Sequence, residues 1–457
     1  MNKRTPPDRP TPEQRASKGK ALRDQAPRAS HGSWKLRGDR DEAISLLQAS
    51  DSNRMPELLP LRYGRMLRTP FTFYRGSAAI MAKDLASTPA MGVQVQACGD
   101  AHLLNFGGFA TPERRLVFDI NDLDETLPAP WEWDVKRLVA SFVLAARSNG
   151  LSDDAGREAA RACAKSYRKH MRDYAGMDVL DVWYSRIDAE DVLGVLPEAR
   201  RDALRKRIAK ATGASSSELI YPKLVEQSSG QARIRDEQPL LFHWTGEGSD
   251  HHMEVISEAL HHYRNTLADD RRVLFDRYQL ADGAMKVVGI GSVGTFCMVL
   301  LFTSISGDPL FLQVKQANAS VLEPYAGASA YKHHGQRVVI GQRLMQPASD
   351  IFLGWATARH GRQFYLRQLR DVKLSPMVET FDAAMLEIYG ELCGWALARA
   401  HAKAGDPWSI SGYLGTSAKF DDAMGSFALA YADQAERDHA ALKTAVRAGK
   451  IAVEMER

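Results

Sequence analysis

Hydrophobic and polar positions change rhythm several times along the chain, and each change predicts an element. Residues 1–14, with four prolines and no apolar periodicity, are expected to be flexible. From about residue 41 the spacing becomes helical, and around Phe71 to Leu85 the small-residue run GSAAIMAKDLA predicts a helix. Val93-Gln94-Val95-Gln96-Ala97-Cys98 alternates with a period of two, which predicts a strand stopping at Gly99-Asp100. Leu116 to Ile120 is a second short apolar run. Near Asp134 a helix begins with Val135, Leu138, Val139, Phe142 and Ala146 on one face, and further helices follow to about 212. Residues 213–250, rich in Gly, Ser and Gln, read as a linker or long loop.

After a helical stretch at 251–275 the pattern turns to β. Lys286 to Gly294 runs into Thr295 to Phe302 and, past a Gly-Asp-Pro turn, into Leu310 to Lys315, predicting three consecutive strands. Helical spacing returns from about 326, with two more strands near 351–356 and 363–369. Phe381, Met385, Ile388, Leu392 and Ala396 then mark a long amphipathic helix ending near His401, and helices finish the chain.

At 457 residues the chain exceeds the size of one core, so two or three units are expected. Its 44% hydrophobic and 25% charged content excludes a disordered, collagen-like or coiled-coil protein. Four scattered cysteines, Cys98, Cys163, Cys297 and Cys393, form no CxxC pair and suit a reducing compartment. No apolar run reaches membrane-spanning length and the N-terminus lacks a signal-peptide core, so a cytoplasmic protein without a membrane partner is expected. Residues 1–40 carry 11 Lys and Arg against 4 Asp and Glu, which leaves the rest of the chain slightly acidic. This basic arm is read first as a solvated terminus; nucleic-acid binding is not expected. Arg62, Arg65, Arg68 and Arg75 offer a possible anionic-substrate surface, although arginines on a surface helix are the commoner explanation.

Two segments carry chemistry. Gly289, Gly291 and Gly294 form a GxGxxG run, but Thr295 to Phe302 is β-branched, aromatic and apolar, with no helix start. That context disfavours a dinucleotide-binding turn, which opens a helix, and favours a strand-glycine-strand lid over nucleotide phosphates. Lys315, on the third strand, stands where such a lid places its phosphate-binding lysine. The second segment is a loop holding Asp100, His102 and Asn105, followed by Asp119 on the next strand and by Asp122 and Asp124. Asp100 could accept a proton from a substrate hydroxyl while Asn105 and Asp119 hold Mg²⁺, with Asp122 and Asp124 as rival ligands.

Gly99-Asp100-Ala101-His102-Leu103-Leu104-Asn105 followed by Leu116-Val117-Phe118-Asp119 resembles the catalytic loop and metal-binding strand of aminoglycoside and choline kinase relatives. More broadly, FTFYRG at 71–76, DINDLDET at 119–126, WEWDVKRL at 131–138 and GQRLMQ at 341–346 resemble a family of uncharacterised bacterial proteins, domain of unknown function 2252. In kinases the lid precedes the catalytic loop; here it follows by about 190 residues. The resemblance therefore implies an α+β, kinase-like two-lobe fold, circularly permuted and carrying extra helices. Residues 1–40 would form the arm, 41–275 the helical lobe with the catalytic loop, 278–372 the β lobe, and 373–457 helices returning to the first lobe.

The function so implied is ATP- and Mg²⁺-dependent phosphotransfer to an unidentified acceptor, a small molecule before a protein. Asp100 and Lys315 would be catalytic. Gly289, Gly291, Gly294 and Lys315 would hold the phosphates, Leu369, Arg370 and Asp371 the purine, and Asn105, Asp119 and Asp122 the metal. The glutamate partner of Lys315 is not obvious; Glu323 and, as a non-acidic substitute, Gln342 are the candidates. Competing readings are a nucleotide-binding pseudokinase, a kinase-like nucleotidyl transferase, and a dinucleotide-dependent oxidoreductase, the last requiring a helix at 295–305.

Overall fold

The computed structural model describes residues 10–212, 221–228, 231–244, 249–369 and 372–456. Its helical body is built round Trp131–Ser148, buried along nearly its whole length. Asp153–Ala175, Ala383–Ala404 and Lys419–Arg447 pack round it in one continuous apolar core. Two of these helices meet backbone to backbone. A β-carbon at Gly394 would lie 2.2 Å from the Cys163 carbonyl oxygen, so only glycine permits that approach.

Residues 1–9 of the basic N-terminal arm, most of the segment expected to be flexible, lie outside the described residues, and from residue 10 the arm is ordered against the helical body. Pro12–Ala21 is a helix whose N-cap, Thr11, forms a reciprocal capping box with Gln14, and it packs on the helix Pro407–Leu414. Arg23 donates to the carbonyls of Gly412 and Tyr413, and Arg28 to that of Leu414. Arg23 and Arg28 thus satisfy the open end of a helix, where cations are favoured, rather than standing in solvent.

A six-stranded antiparallel sheet forms the second body, in the order Gly354–Thr357, Gln363–Gln368, Pro309–Gln316, Cys297–Ser304, Tyr278–Lys286 and Leu241–Phe242. One face, with Met298, Leu300, Leu310 and Leu366, packs with Tyr263 and Phe275 from the helices Ser249–Thr266 and Asp269–Phe275. The other, with Val299, Leu301 and Phe311, packs with Val225 and Ile234 of the hairpin formed by Val225–Ser228 and Gln231–Ile234. Helix 249–266 therefore belongs with the sheet and not with the helices preceding it. The first strand also comes earlier than expected: it ends at Lys286, and the glycine-rich residues form the turn after it. Helix His334–Met345 lies in the chain between strands Pro309–Gln316 and Gly354–Thr357.

Between the bodies lie two small sheets. Gln94–Ala97 pairs with Leu127–Pro130, and Phe106–Ala110 pairs with Leu116–Ile120 and Lys373–Leu374. The sequence pattern did not predict the strand 106–110, because Gly107 and Gly108 interrupt its apolar signal. The resulting hairpin delivers the acidic segment beneath the large sheet.

Candidate functional site

The loop after strand 94–97 is held from below. Asp134, in the first turn of helix 131–148, accepts from the backbone N–H of Cys98 at 2.5 Å and of Gly99 at 2.9 Å. His401, at the end of helix 383–404, lies 3.1 Å from the same carboxylate. Gly99 has φ +84°, and a β-carbon there would stand 2.6 Å from the Glu125 carbonyl oxygen. Asp100 is thereby turned into the cleft, where Arg137 grips its Oδ1 through Nε at 2.6 Å and Nη2 at 2.5 Å. Asn105 donates from Nδ2 to the Asp100 carbonyl at 2.7 Å, closing the loop on itself. His102 Nε2 sits 4.0 Å from Asp100 Oδ2, and burial lowers this imidazole's pKa to about 4, so it is neutral at ordinary pH.

From the opposite wall Lys315 reaches into the acidic segment. Its ammonium is 3.3 Å from Asp122 Oδ1, and it also pairs with Asp124 Oδ2, which shares its carboxylate with the Tyr365 hydroxyl. Burial works against charge on Asp122, yet Lys315 and then Arg367 hold its carboxyl below the usual carboxylate range. Burial and the Asp122 charge push Asp124 the other way, upward. Arg337 of helix 334–345 donates to the carbonyls of Asp124 and Thr126 and so clamps the segment's backbone. Neither Glu323 nor Gln342 meets Lys315. Glu323 lies 3.8 Å from His334, and Gln342 donates to Gln346.

Asp119 takes a different position from the one its spacing suggested. It is wholly buried, 2.8 Å from Arg399, whose side chain is equally buried, and it does not line the cleft. Strand 116–120 places it inward towards helix 383–404, whereas the carboxylates that face the cleft lie three and five residues later. The oxygen donors lining the cleft therefore include Asp100, Asn105, Asp122, Asp124 and Glu125, and not Asp119. Among the described residues no three His, Cys, Asp or Glu side chains are already gathered as a cation site.

The glycine-rich turn closes the cleft, whose volume is about 280 Å³. Gly289, Ile290, Gly291 and Ser292 line it, together with Asp100, Asn105, Asp122 and Asp124. Gly294 does not; it is a tether, its carbonyl accepting from the Met55 N–H at 2.7 Å. Arg54 bonds the Val293 carbonyl and Arg65 the Gly289 carbonyl, so the turn is tied to the 51–75 segment. Leu369, expected near the purine, has its side chain buried in the sheet's second core and its N–H bonded to the Phe311 carbonyl. Arg370 and Asp371 lie outside the described residues. A separate, almost wholly apolar groove of about 220 Å³ runs along hairpin 106–120 and brings no catalytic groups together.

Of the four arginines singled out in the sequence, Arg65 and Arg68 pair with Glu456, while Arg62 and Arg75 line the cleft, joined by Arg54. Sequence reasoning assigned no role to Asp134, Arg137, Tyr365 or Arg367. The only signal for the first two is the run WEWDVKRL, which in isolation reads as an amphipathic helix start. Among the described residues, no helix is long and apolar enough to cross a membrane.

The profile of a family described as uncharacterized protein conserved in bacteria (DUF2252) matches residues 54–445, and the chain belongs to that family. No curated protein and no solved structure matches it.

Proposed function

We propose that this member of the bacterial family is an ATP- and Mg²⁺-dependent phosphotransferase with a circularly permuted, kinase-like arrangement of two lobes, acting on a small-molecule hydroxyl. One observation carries the reading. Asp100 and Asn105, from the first third of the chain, line one cleft beneath a glycine-rich turn between two antiparallel strands, and Lys315, from the last third, is buried at its edge against two further lining carboxylates, Asp122 and Asp124. A lid of that kind, a lysine on the third strand, and a loop with Asp and Asn five residues apart are the parts phosphoryl transfer uses. A strand at 297–304, in place of a helix, removes the support for dinucleotide chemistry.

In this reading the backbone amides round Gly289 and Gly291 approach the phosphates and Lys315 grips their α/β end. Asn105, Asp122 and Asp124 are hard oxygen donors that fit Mg²⁺, which when bound would offset phosphate charge. Asp100, oriented by Arg137, accepts the proton of the attacking hydroxyl. Four free, buried cysteines agree with a cytoplasmic setting.

A nucleotide-binding pseudokinase is the second reading, favoured by the absence of any Asp or Glu from helix 334–345, so that Lys315 is held by Asp122 and Asp124 instead. Calorimetry with ATP and Mg²⁺, alongside an ATP-turnover assay, separates the two. Wild type is expected to bind and turn over. Lys315→Ala should bind more weakly by about tenfold or more, and Asp100→Asn should bind normally with turnover down by about 10²-fold or more. Binding without turnover in the wild type supports the pseudokinase, and no binding removes both.

A further inference from the structure

We infer that the acceptor is a hydroxyl-bearing phosphate monoester whose phosphate is held by Arg75 and Arg54 on the cleft wall formed by residues 49–79, with its hydroxyl facing Asp100. The inference rests on the phosphotransferase reading and adds the substrate's chemical class.

The argument is one of unmatched charge. Arg54, Arg62 and Arg75 line this wall. Arg54 and Arg62 share a single carboxylate, Asp51, each at 3.2 Å, and its other oxygen accepts from the Tyr63 hydroxyl at 2.5 Å. Among the described residues the Arg75 side chain has no hydrogen bond or ion pair, and its Nε is closed off from solvent. The carboxylates elsewhere in the cleft are already engaged. Asp100 is taken by Arg137, Asp122 and Asp124 by Lys315, and Glu125 accepts from the Val321 N–H. Three guanidinium groups on this wall therefore have one carboxylate, Asp51, in direct contact, while Glu125 acts on Arg54 and Asp100 on Arg75 only through space, an arrangement in a partly dehydrated place that a bound anion would relieve. Burial, with the charge of Arg62, lowers the pKa of Arg54 to about 9, and burial lowers that of Arg75 as well.

A phosphate monoester is close to a dianion near neutral pH, and its oxygens match the guanidinium fork; a single carboxylate would answer half of the surplus. Ser50, Ser52 and Asn53 add hydrogen-bonding groups along the same wall. Lys315 and its two aspartates mark one end of the nucleotide's place on the opposite wall, and the glycine-rich turn, tied to residues 51–75, spans from there to this wall, so that the acceptor's phosphate would lie beside the nucleotide's.

Full-length protein loaded with a non-hydrolysable ATP analogue and Mg²⁺ is titrated with inorganic phosphate by calorimetry, in the wild type, Arg75→Gln and Arg75→Lys. Phosphate is expected to bind the loaded wild type, about tenfold or more weakly in Arg75→Gln, and at an intermediate level in Arg75→Lys, which keeps the charge and loses the fork. Affinity for the analogue should stay within about threefold. Arg75 has no partner to lose, so the unliganded variants should melt near wild type, and this is measured first. Analogue binding without phosphate binding overturns the inference and spares the phosphotransferase reading. Equal weakening of both ligands in Arg75→Gln also overturns it, by giving Arg75 to the nucleotide's own phosphates. Phosphate binding through Arg75 with no analogue binding overturns the phosphotransferase reading and with it the acceptor assignment, leaving an anion site of another purpose.

Discussion

Asp119 and Asp122 stand three residues apart and have the same side chain, yet they should respond oppositely to substitution. Asp119 and Arg399 are both fully buried, so Asp119→Ala leaves a guanidinium without its counter-charge inside the core. The expected loss is about 3–5 kcal/mol of folding stability, read by urea denaturation. Asp122 keeps 37% of its side-chain surface exposed at the cleft and shares Lys315 with Asp124. Asp122→Ala should keep most of the stability and lose Mg²⁺-dependent nucleotide binding, read by calorimetry. A stable Asp119→Ala protein that no longer binds Mg²⁺ and nucleotide would reverse the two assignments.

Among the connecting elements, the turn at Gly99 is the joint where strand 94–97 gives way to the proposed catalytic loop. Its φ of +84° and its closeness to the Glu125 carbonyl mean that Gly99→Ala meets backbone strain and a steric clash together. The backbone strain alone should cost about 1–3 kcal/mol, lowering the thermal midpoint. Because the clash is with Glu125, the acidic segment should shift as well. Nucleotide affinity is therefore expected to fall more than for a surface change of equal stability cost. A Gly99→Ala protein with wild-type midpoint and affinity would show that the turn is not under this constraint. The same joint explains why Asp134, remote from the cleft, governs it: two loop N–H groups terminate on its carboxylate.

For the molecule as a whole, the N-terminal arm carries a pH dependence. His31 is buried, with Nε2 2.6 Å from the Tyr413 hydroxyl, which itself donates to the Ala26 carbonyl, and Nδ1 has no partner. Burial, and secondarily the charge of Lys136, lowers its pKa to about 3. The folded state therefore holds it neutral, and the stability this contributes is present above the free imidazole range near 6.5. That contribution is lost as pH falls from there towards about 3, at up to about 1.4 kcal/mol per pH unit. His102, lowered to about 4, adds in the same direction. Urea midpoints measured between pH 7.5 and 4.5 should fall less steeply in His31→Gln, which keeps a donor for Tyr413 and cannot be protonated in this range. Parallel curves would assign the acid limb to other groups.

Local pattern alone determined a good deal of this protein. Period-two alternation marked strand 94–97, helical spacing marked 383–404, and the absence of a helix signal after Gly294 distinguished a turn between two strands from a turn opening a helix. These are properties of neighbouring residues, where backbone geometry repeats and the sequence records it directly. The pattern also selected Asp100, Asn105, Asp122, Lys315, Gly289 and Gly291, which the fold brings to one cleft or its edge. Tertiary structure alone decided which carboxylate faces that cleft and which is buried against Arg399, because strand 116–120 and helix 383–404 meet only after folding across some 280 residues. It also turned a basic, proline-rich arm into a cap for helix 407–414, sent Leu369 into the core, and left the Arg75 side chain without a hydrogen bond or ion pair among the described residues. Charge and hydropathy state what a side chain can do; whether it is paired, buried or exposed depends on residues that the chain brings near it only in the folded state.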